Sequence, residues 1–242
     1  MAYGNVVDLP RTVLAAVGFL TRLPVRRGTE RPGPAAFGIV GAGIGLAGAL
    51  PVLAFADAPL LGAALAVGLV AVASGGLHLD GLADTIDALG APSADGAERA
   101  RRDPAIGALG AVGVSLILLA DAGAIGSLPT AIALPALVVA GAASRSVPVL
   151  GARFVRHGEA GLGRWWRDAV RASDVVVCLA TVGLIALATR SMVHVVAAGV
   201  GLVAGMAILA LLERRFEIVT GDSHGAAIEG AFLVALVVEV AA

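Results

Sequence analysis

What most limits the folds open to this chain is a series of apolar runs, most of them close to twenty residues long. As a helix, such a run crosses a hydrocarbon layer of about 30 Å. Inside a bilayer every backbone N–H and C=O must pair within the chain, so runs of this kind are read as transmembrane helices. They are Ala36 to Ala56, Leu60 to about Leu79, Ile106 to Ile125, Pro129 to about Leu150, Val175 to Ala188 and Val193 to Leu212. A last stretch, from Ala226 to the C-terminus, carries Glu229 and Glu239 and is barely long enough to span. Val6 to Leu20 is apolar but holds Asp8, Pro10 and Arg11, and is expected to form an interfacial or shallowly inserted helix. The composition agrees: 58% of the 242 residues are hydrophobic and 14% charged, against about 25% charged in a soluble domain. The expected fold is all-α, a polytopic integral membrane helical bundle of six to seven transmembrane helices plus the N-terminal interfacial helix. One transmembrane domain is expected over residues 1–242, with active-site loops facing the cytoplasm.

The charges lie between the runs. Net charge is −1, which gives no reason to expect nucleic acid as a partner, and the lipid membrane is the expected surroundings. Every basic side chain is an arginine, to which no function is assigned. The single cysteine, Cys178, sits in an apolar run and reads as a small core residue. No cleaved secretory signal is expected from the interrupted N-terminal stretch. If the chain is threaded through the spans, the connectors alternate sides. One side receives Arg22, Arg26, Arg27 and Arg31, then Arg99 to Arg102, Arg145 to Arg171, and Arg214 with Arg215; the other receives only Arg190. The positive-inside rule puts the first set in the cytoplasm. Trp165 and Trp166, among the arginines of the Gly151 to Asp174 connector, are expected at the headgroup level.

On that same side falls Gly75-Gly76-Leu77-His78-Leu79-Asp80-Gly81-Leu82-Ala83-Asp84-Thr85-Ile86-Asp87. In a helix, Asp80, Asp84 and Asp87 stand at i, i+4 and i+7, on one face. A single aspartate at mid-membrane costs about 2.5–3.5 kcal/mol on insertion scales, so three together require a cavity, water or a cation. A hard cation such as Mg²⁺ prefers oxygen ligands and shares its shell with phosphate. The bland reading is a helix end wetted at the interface. A histidine ordinarily titrates near neutrality, but His78 lies on another helical face, so joining the carboxylates requires a bend at Gly81 or a loop. General base, substrate contact and ordinary hydrogen bonding stay open for it. Asp103-Pro104 reads as a helix N-cap with proline at N1, or as part of the site. Asp222 and Glu229 are seven apart and share a face if helical; they complete a metal site or bind a hydroxyl, or merely start a helix with Glu229 paired to an arginine. Of the arginines, Arg22 and Arg145 lie closest to spans and are the better substrate candidates. Arg145 either snorkels to the surface or faces a polar cavity. Gly41, Gly43, Gly45 and Gly48 suit close helix contact in lipid.

These residues resemble a known family. Gly75 to Thr85, with Asp87, is similar to the signature of the cobalamin synthases, adenosylcobinamide-GDP ribazoletransferases. The resemblance extends through Phe19-Leu20-Thr21-Arg22-Leu23-Pro24-Val25, Arg102-Asp103-Pro104 with Ile106, Gly107 and Gly110, Ser144-Arg145, Glu159-Ala160-Gly161-Leu162-Gly163, and Thr220-Gly221-Asp222 to Gly225-Ala226 with Glu229. His224 stands where the family pattern has an aliphatic residue such as leucine. The resemblance implies a Mg²⁺-dependent transferase of the cytoplasmic (inner) cell membrane that joins adenosylcobinamide-GDP to α-ribazole, or its 5′-phosphate, and releases GMP. On that reading Asp80 and Asp84, helped by Asp87, hold one or two Mg²⁺ on the diphosphate, with Asp103, Asp222 or Glu229 supplying further ligands or holding the ribazole. His78 or one carboxylate takes the hydroxyl proton, and Arg22, Arg102, Arg145, Asp222 and Glu229 bind substrate. Two alternatives remain: another Mg²⁺-dependent membrane phosphotransferase of the CDP-alcohol type, and a cation-coupled transporter with carboxylates deep in several spans. A homo-oligomer is left open.

Overall fold

The computed structural model describes residues 9–25, 31–158 and 161–242, and for Ala94, Arg102, Gly161 and Leu162 the backbone alone. Of the expectations above, Val6 to Asp8, Arg26, Arg27, the pair Glu159-Ala160 and the Arg102 side chain lie outside the described residues. Among the described residues the chain forms eleven α-helices and no strand: α1 (Leu9–Leu20), α2 (Phe37–Ala54), α3 (Pro59–Ser74), α4 (Leu77–Gly90), α5 (Ala94–Arg102), α6 (Ala108–Ser127), α7 (Thr130–Phe154), α8 (Gly161–Ala169), α9 (Ala172–Ala188), α10 (Met192–Phe216) and α11 (Gly221–Ala241). Five of the helical segments are long and apolar enough to cross a membrane, and up to seven if each of two bent pairs is one crossing.

The bundle is organised around α2 against α7. Glycines of the two helices meet face to face: a Cβ on Gly41 would overlap the Gly141 carbonyl, and one on Gly45 would overlap the Leu137 carbonyl. Bare backbone on both sides lets the axes approach as small residues do in lipid, where dispersion rather than water expulsion drives association. Gly48 serves a second contact, with Val70 of α3, but Gly43 faces open space. The four glycines are therefore not one packing stripe.

Several boundaries move. The second apolar run stops at Ser74, not Leu79, because Gly75 and Gly76 both adopt left-handed φ, +63° and +71°. The Gly76 amide donates to Ala71 and the Gly75 amide to Val72, closing α3 with a Schellman motif. The chain then turns by 91° into α4. The bend lies at this glycine pair and not at Gly81, which is inside α4. The loop expected over Gly90 to Asp103 contains α5, started by Ser93 whose hydroxyl accepts from the Gly96 amide at 3.1 Å. The long connector after α7 contains α8, and the apolar stretch after Glu213 begins earlier than expected. Its N-cap Thr220 sets α11 going at Gly221, which makes it 21 residues, a full crossing. The two acids that made this stretch look marginal are buried beside histidines. Glu239 lies 2.8 Å from His194 of α10, and Glu229 lies 3.7 Å from His78 of α4.

If backbone contact between α2 and α7 holds the bundle, Gly141→Leu will lower the midpoint of thermal unfolding in detergent, with an overpacking cost of about 1–3 kcal/mol. Gly43→Leu, pointing into open space, will leave it near wild type. Equal midpoints for the two variants would refute this packing.

Candidate active site

α4 packs against the first turns of two other helices, α6 and α11. Gly81 sits against the backbone of Asp222, with 2.9 Å between a Cβ built on Gly81 and the Asp222 Cα; a Cβ on Gly225 would come 2.9 Å from the His78 carbonyl. α4 and the first turns of α11 thus touch backbone to backbone. Further along, Asp87 reaches the start of α6, where its Oδ2 accepts from the Gly107 amide at 2.7 Å and its Oδ1 from the Gly110 amide at 2.8 Å. Helix N-termini leave backbone donors unpaired and carry partial positive charge, so a carboxylate is welcome there. α3 and α4 count as one apolar crossing only when taken together, bent by 91°.

The consequence is a cluster of like charge. Asp80 is exposed and Asp84 half-buried on α4, with Asp222 half-buried in the first turn of α11. Partial burial, then the negative charges of Asp222, Asp80 and Asp87, push the Asp84 carboxyl up to about 6. The structure separates Asp87 from this group in one respect: both its oxygens are already turned to amides of α6. It also leaves Asp103 apart. That side chain is exposed, its Oδ1 accepting from the Ala105 amide at 3.0 Å in the turn after α5, while Gly107 occupies the N-cap of α6.

A cavity of about 460 Å³ opens beside the cluster, its wall including Arg22, His78, Asp80, Asp222, His157 and Trp165. Arg22 is pinned there. Its amide donates to Ala73, and its side-chain stem fills the space a Cβ on Gly75 would need, so this left-handed position requires glycine for space as well as for φ. His78 is almost fully buried, its Nδ1 without a hydrogen bond and 3.7 Å from Glu229 Oε1. Arg145 does not snorkel. Sitting in the middle of α7 with no exposed surface, it donates from Nη1 to Ser144 Oγ at 2.9 Å and lies 5.0 Å over the Phe232 ring. Its charge faces Glu229 and Asp121.

Some of these neighbours went unremarked in the sequence. Asp121 is a lone acid in an apolar run, and that isolation was the available signal for a buried partner of Arg145. His157 had none; its Nε2 lies 3.0 Å from Nε2 of His224. His224, seemingly a minor departure, therefore belongs to the cavity wall. Trp166 is not a headgroup anchor either: it is buried, and its Nε1 donates to the Pro148 carbonyl at 3.1 Å.

A cation would find an all-oxygen donor set here, in carboxylates that repel one another without it. Among the described residues no three His, Cys, Asp or Glu side chains stand close enough to form a ready-made metal site. Oxygen-only donors of this kind would suit an ion that completes its shell with phosphate oxygens and water, as Mg²⁺ does.

The model of the cobalamin-5-phosphate synthase family matches residues 12–240. The chain belongs to this family. Among its relatives, the adenosylcobinamide-GDP ribazoletransferase of Citrobacter koseri is 35% identical over 233 residues, covering 89% of this chain and 93% of the relative. That of Prochlorococcus marinus (strain MIT 9303) is 36% identical over 193 residues, 73% of each chain. A shorter match, to the enzyme of the same name in Thiobacillus denitrificans, reaches 47% over 91 residues but covers only 34% of this chain and 36% of that one. No solved structure matches the chain significantly.

The repulsion around Asp84 gives a pH prediction. Its folded value is above its unfolded one, so the folded state binds the extra proton and stability falls as pH rises from about 4 through 6. Without divalent cations, Asp84→Asn should melt above wild type at pH 8, with the gap closing toward pH 4. A wild type that melts higher at pH 8 would show that Asp84 is stabilised as a carboxylate instead.

Proposed function

We infer that this chain joins adenosylcobinamide-GDP to α-ribazole, or its 5′-phosphate, and releases GMP, in the last step of nucleotide-loop assembly of cobalamin. The observation that carries the reading is the folding of the Gly75–Asp87 motif into α4, which puts Asp80 with Asp222 and Arg22 on one cavity wall and Asp84 within electrostatic reach of Asp80 and Asp222. In the reaction a ribazole hydroxyl oxygen forms a bond to the cobinamide-side phosphorus, the bond from that phosphorus to the GMP oxygen breaks, and the hydroxyl proton passes to a base. The barrier comes from charge on the diphosphate and from in-line positioning.

Asp80, Asp84 and Asp222 are the residues proposed to hold Mg²⁺, which when bound neutralises diphosphate oxygens. Arg22, fixed by its backbone and by the Gly75 turn, is placed to pair with a phosphate oxygen. His78 lines the same cavity and is the proposed proton acceptor, with Glu229 buried near it. Asp87 contributes by fixing α4 to α6. Asp103 and Arg102 remain proposals from the motif alone. The chain acts in the cytoplasmic membrane with this cavity open to the cytoplasm, supported by the arginine asymmetry of the connectors.

The carboxylates that a transporter would need inside its spans are present as Asp121, Glu229 and Glu239. Each faces a cationic or ionisable partner, Arg145, His78 or His194, inside the bundle. Membership of the family decides for the transferase.

The test is purified protein in lipid with adenosylcobinamide-GDP, α-ribazole 5′-phosphate and Mg²⁺, with corrinoid and nucleotide products separated by chromatography. The expected outcome is a cobalamin phosphate and GMP in equal amounts, lost on chelation. Asp84→Asn should lower turnover by a factor of about a hundred or more, as loss of a charge-stabilising group does. It should also abolish the rise in melting temperature that Mg²⁺ gives the wild type. Turnover within tenfold of wild type, or CMP released from a CDP-activated alcohol, would contradict the assignment.

A further inference from the structure

The cavity has a second character that diphosphate chemistry does not use. Four aromatic rings from three parts of the chain are gathered on its wall: Phe19 at the end of α1, Phe37 at the start of α2, and Trp165 and Trp166 of α8. Phe19 stacks on Trp166 with centroids 5.7 Å apart and planes 14° apart, and on Phe37 at 5.6 Å. Trp165 stands 6.3 Å from Phe19 and is 41% exposed, whereas Phe37 and Trp166 are buried. The buried pair holds the wall rigid, and Trp165 and Phe19 leave ring surface free.

Resting on the proposed reaction, we propose that this wall is the subsite for the benzimidazole base of the ribazole substrate. Both substrates carry one flat base, a benzimidazole on the ribazole and a guanine on the activated corrinoid, and aromatic faces stack either. The polar groups beside the rings distinguish them. Trp166 spends its only donor on the Pro148 carbonyl, and His157 and His224 are joined Nε2 to Nε2 at 3.0 Å. Guanine presents several donors and acceptors along its edge, and beside these rings His224 Nδ1 is left to pair with them, so most would go unpaired. Benzimidazole has one free ring nitrogen and otherwise apolar edges. Size admits either nucleoside and excludes the corrin: about 460 Å³ suits a nucleoside-sized ligand, while a corrin ring with its substituents must remain outside. The base would then rest on the rings with its ribose in the cavity that also holds Asp80, Asp222 and Arg22.

The chain's two tryptophans are both in this wall, so their fluorescence reports on it directly. Full-length protein in detergent is titrated with α-ribazole, then with GMP as competitor. Saturable quenching by α-ribazole that GMP does not reverse is expected. Trp165→Ala, at an exposed position the fold tolerates, should raise both the Kd and the KM for α-ribazole about tenfold. The KM for adenosylcobinamide-GDP should stay within about twofold, and Trp165→Phe, which keeps a ring face, should restore most of the loss. An unchanged KM for α-ribazole in Trp165→Ala, or displacement by GMP, would overturn the proposal while leaving the transferase reading intact. Quenching by α-ribazole without any transfer in the wild type would do the reverse.

Discussion

The contact on which the site depends is the backbone-to-backbone meeting of α4 with the first turns of α11. Gly81 and Gly225 remove the two side chains that would hold the helices apart, and the Asp222 backbone fills the room at Gly81. Close approach has an electrostatic cost, because it brings Asp222 up to Asp80 and Asp84, and repulsion rises as separation falls. A ligand that brings positive charge relieves that cost. Such a concentration of negative charge at a cavity also holding Arg22 is what a diphosphate with a divalent cation requires.

Everything around that contact serves to aim α4. The glycine pair at 75 and 76 ends α3 and swings the chain by 91°, so that α4 meets the first turns of α6 and α11. Asp87 ties its far end to the exposed amides of α6. Beneath its first turn, His78, Glu229, Arg145 and Asp121 form a buried set of charged and ionisable groups drawn from four helices. Buried ions are tolerated when they face one another, and removing one partner leaves the rest uncompensated. This set joins α4, α6, α7 and α11 where they meet inside the bundle.

Much of this was legible in the residues. The apolar runs gave the helical membrane fold, and the i, i+4, i+7 spacing of Asp80, Asp84 and Asp87 gave a helix with a charged face. The local sequence did not show where bends fall, because Gly75, Gly76 and Gly81 look alike until it is known which neighbour lies over each. Arg22 lies over the first, nothing over the second and α11 over the third. Spacing likewise could not divide three aspartates on one face between a site and a cap, since the amides of Gly107 and Gly110 come from another helix. Arg145 read as a residue near a helix end because the extent of α7 past Leu150 was not marked by hydropathy. The aromatic wall was hidden for the same reason: Phe19, Phe37 and the tryptophans are far apart in the chain and meet only through packing.

The most direct test replaces Gly225 by valine and measures transfer on protein whose thermal melt shows it folded. Side-chain bulk at that point pushes α4 away from α11 by about an ångström while leaving every charged residue in place. A fall in turnover of about a hundredfold is expected, the cost of misplacing reacting groups by that distance, together with weaker stabilisation by Mg²⁺. A folded Gly225→Val protein with turnover near wild type would mean that the site does not depend on this contact.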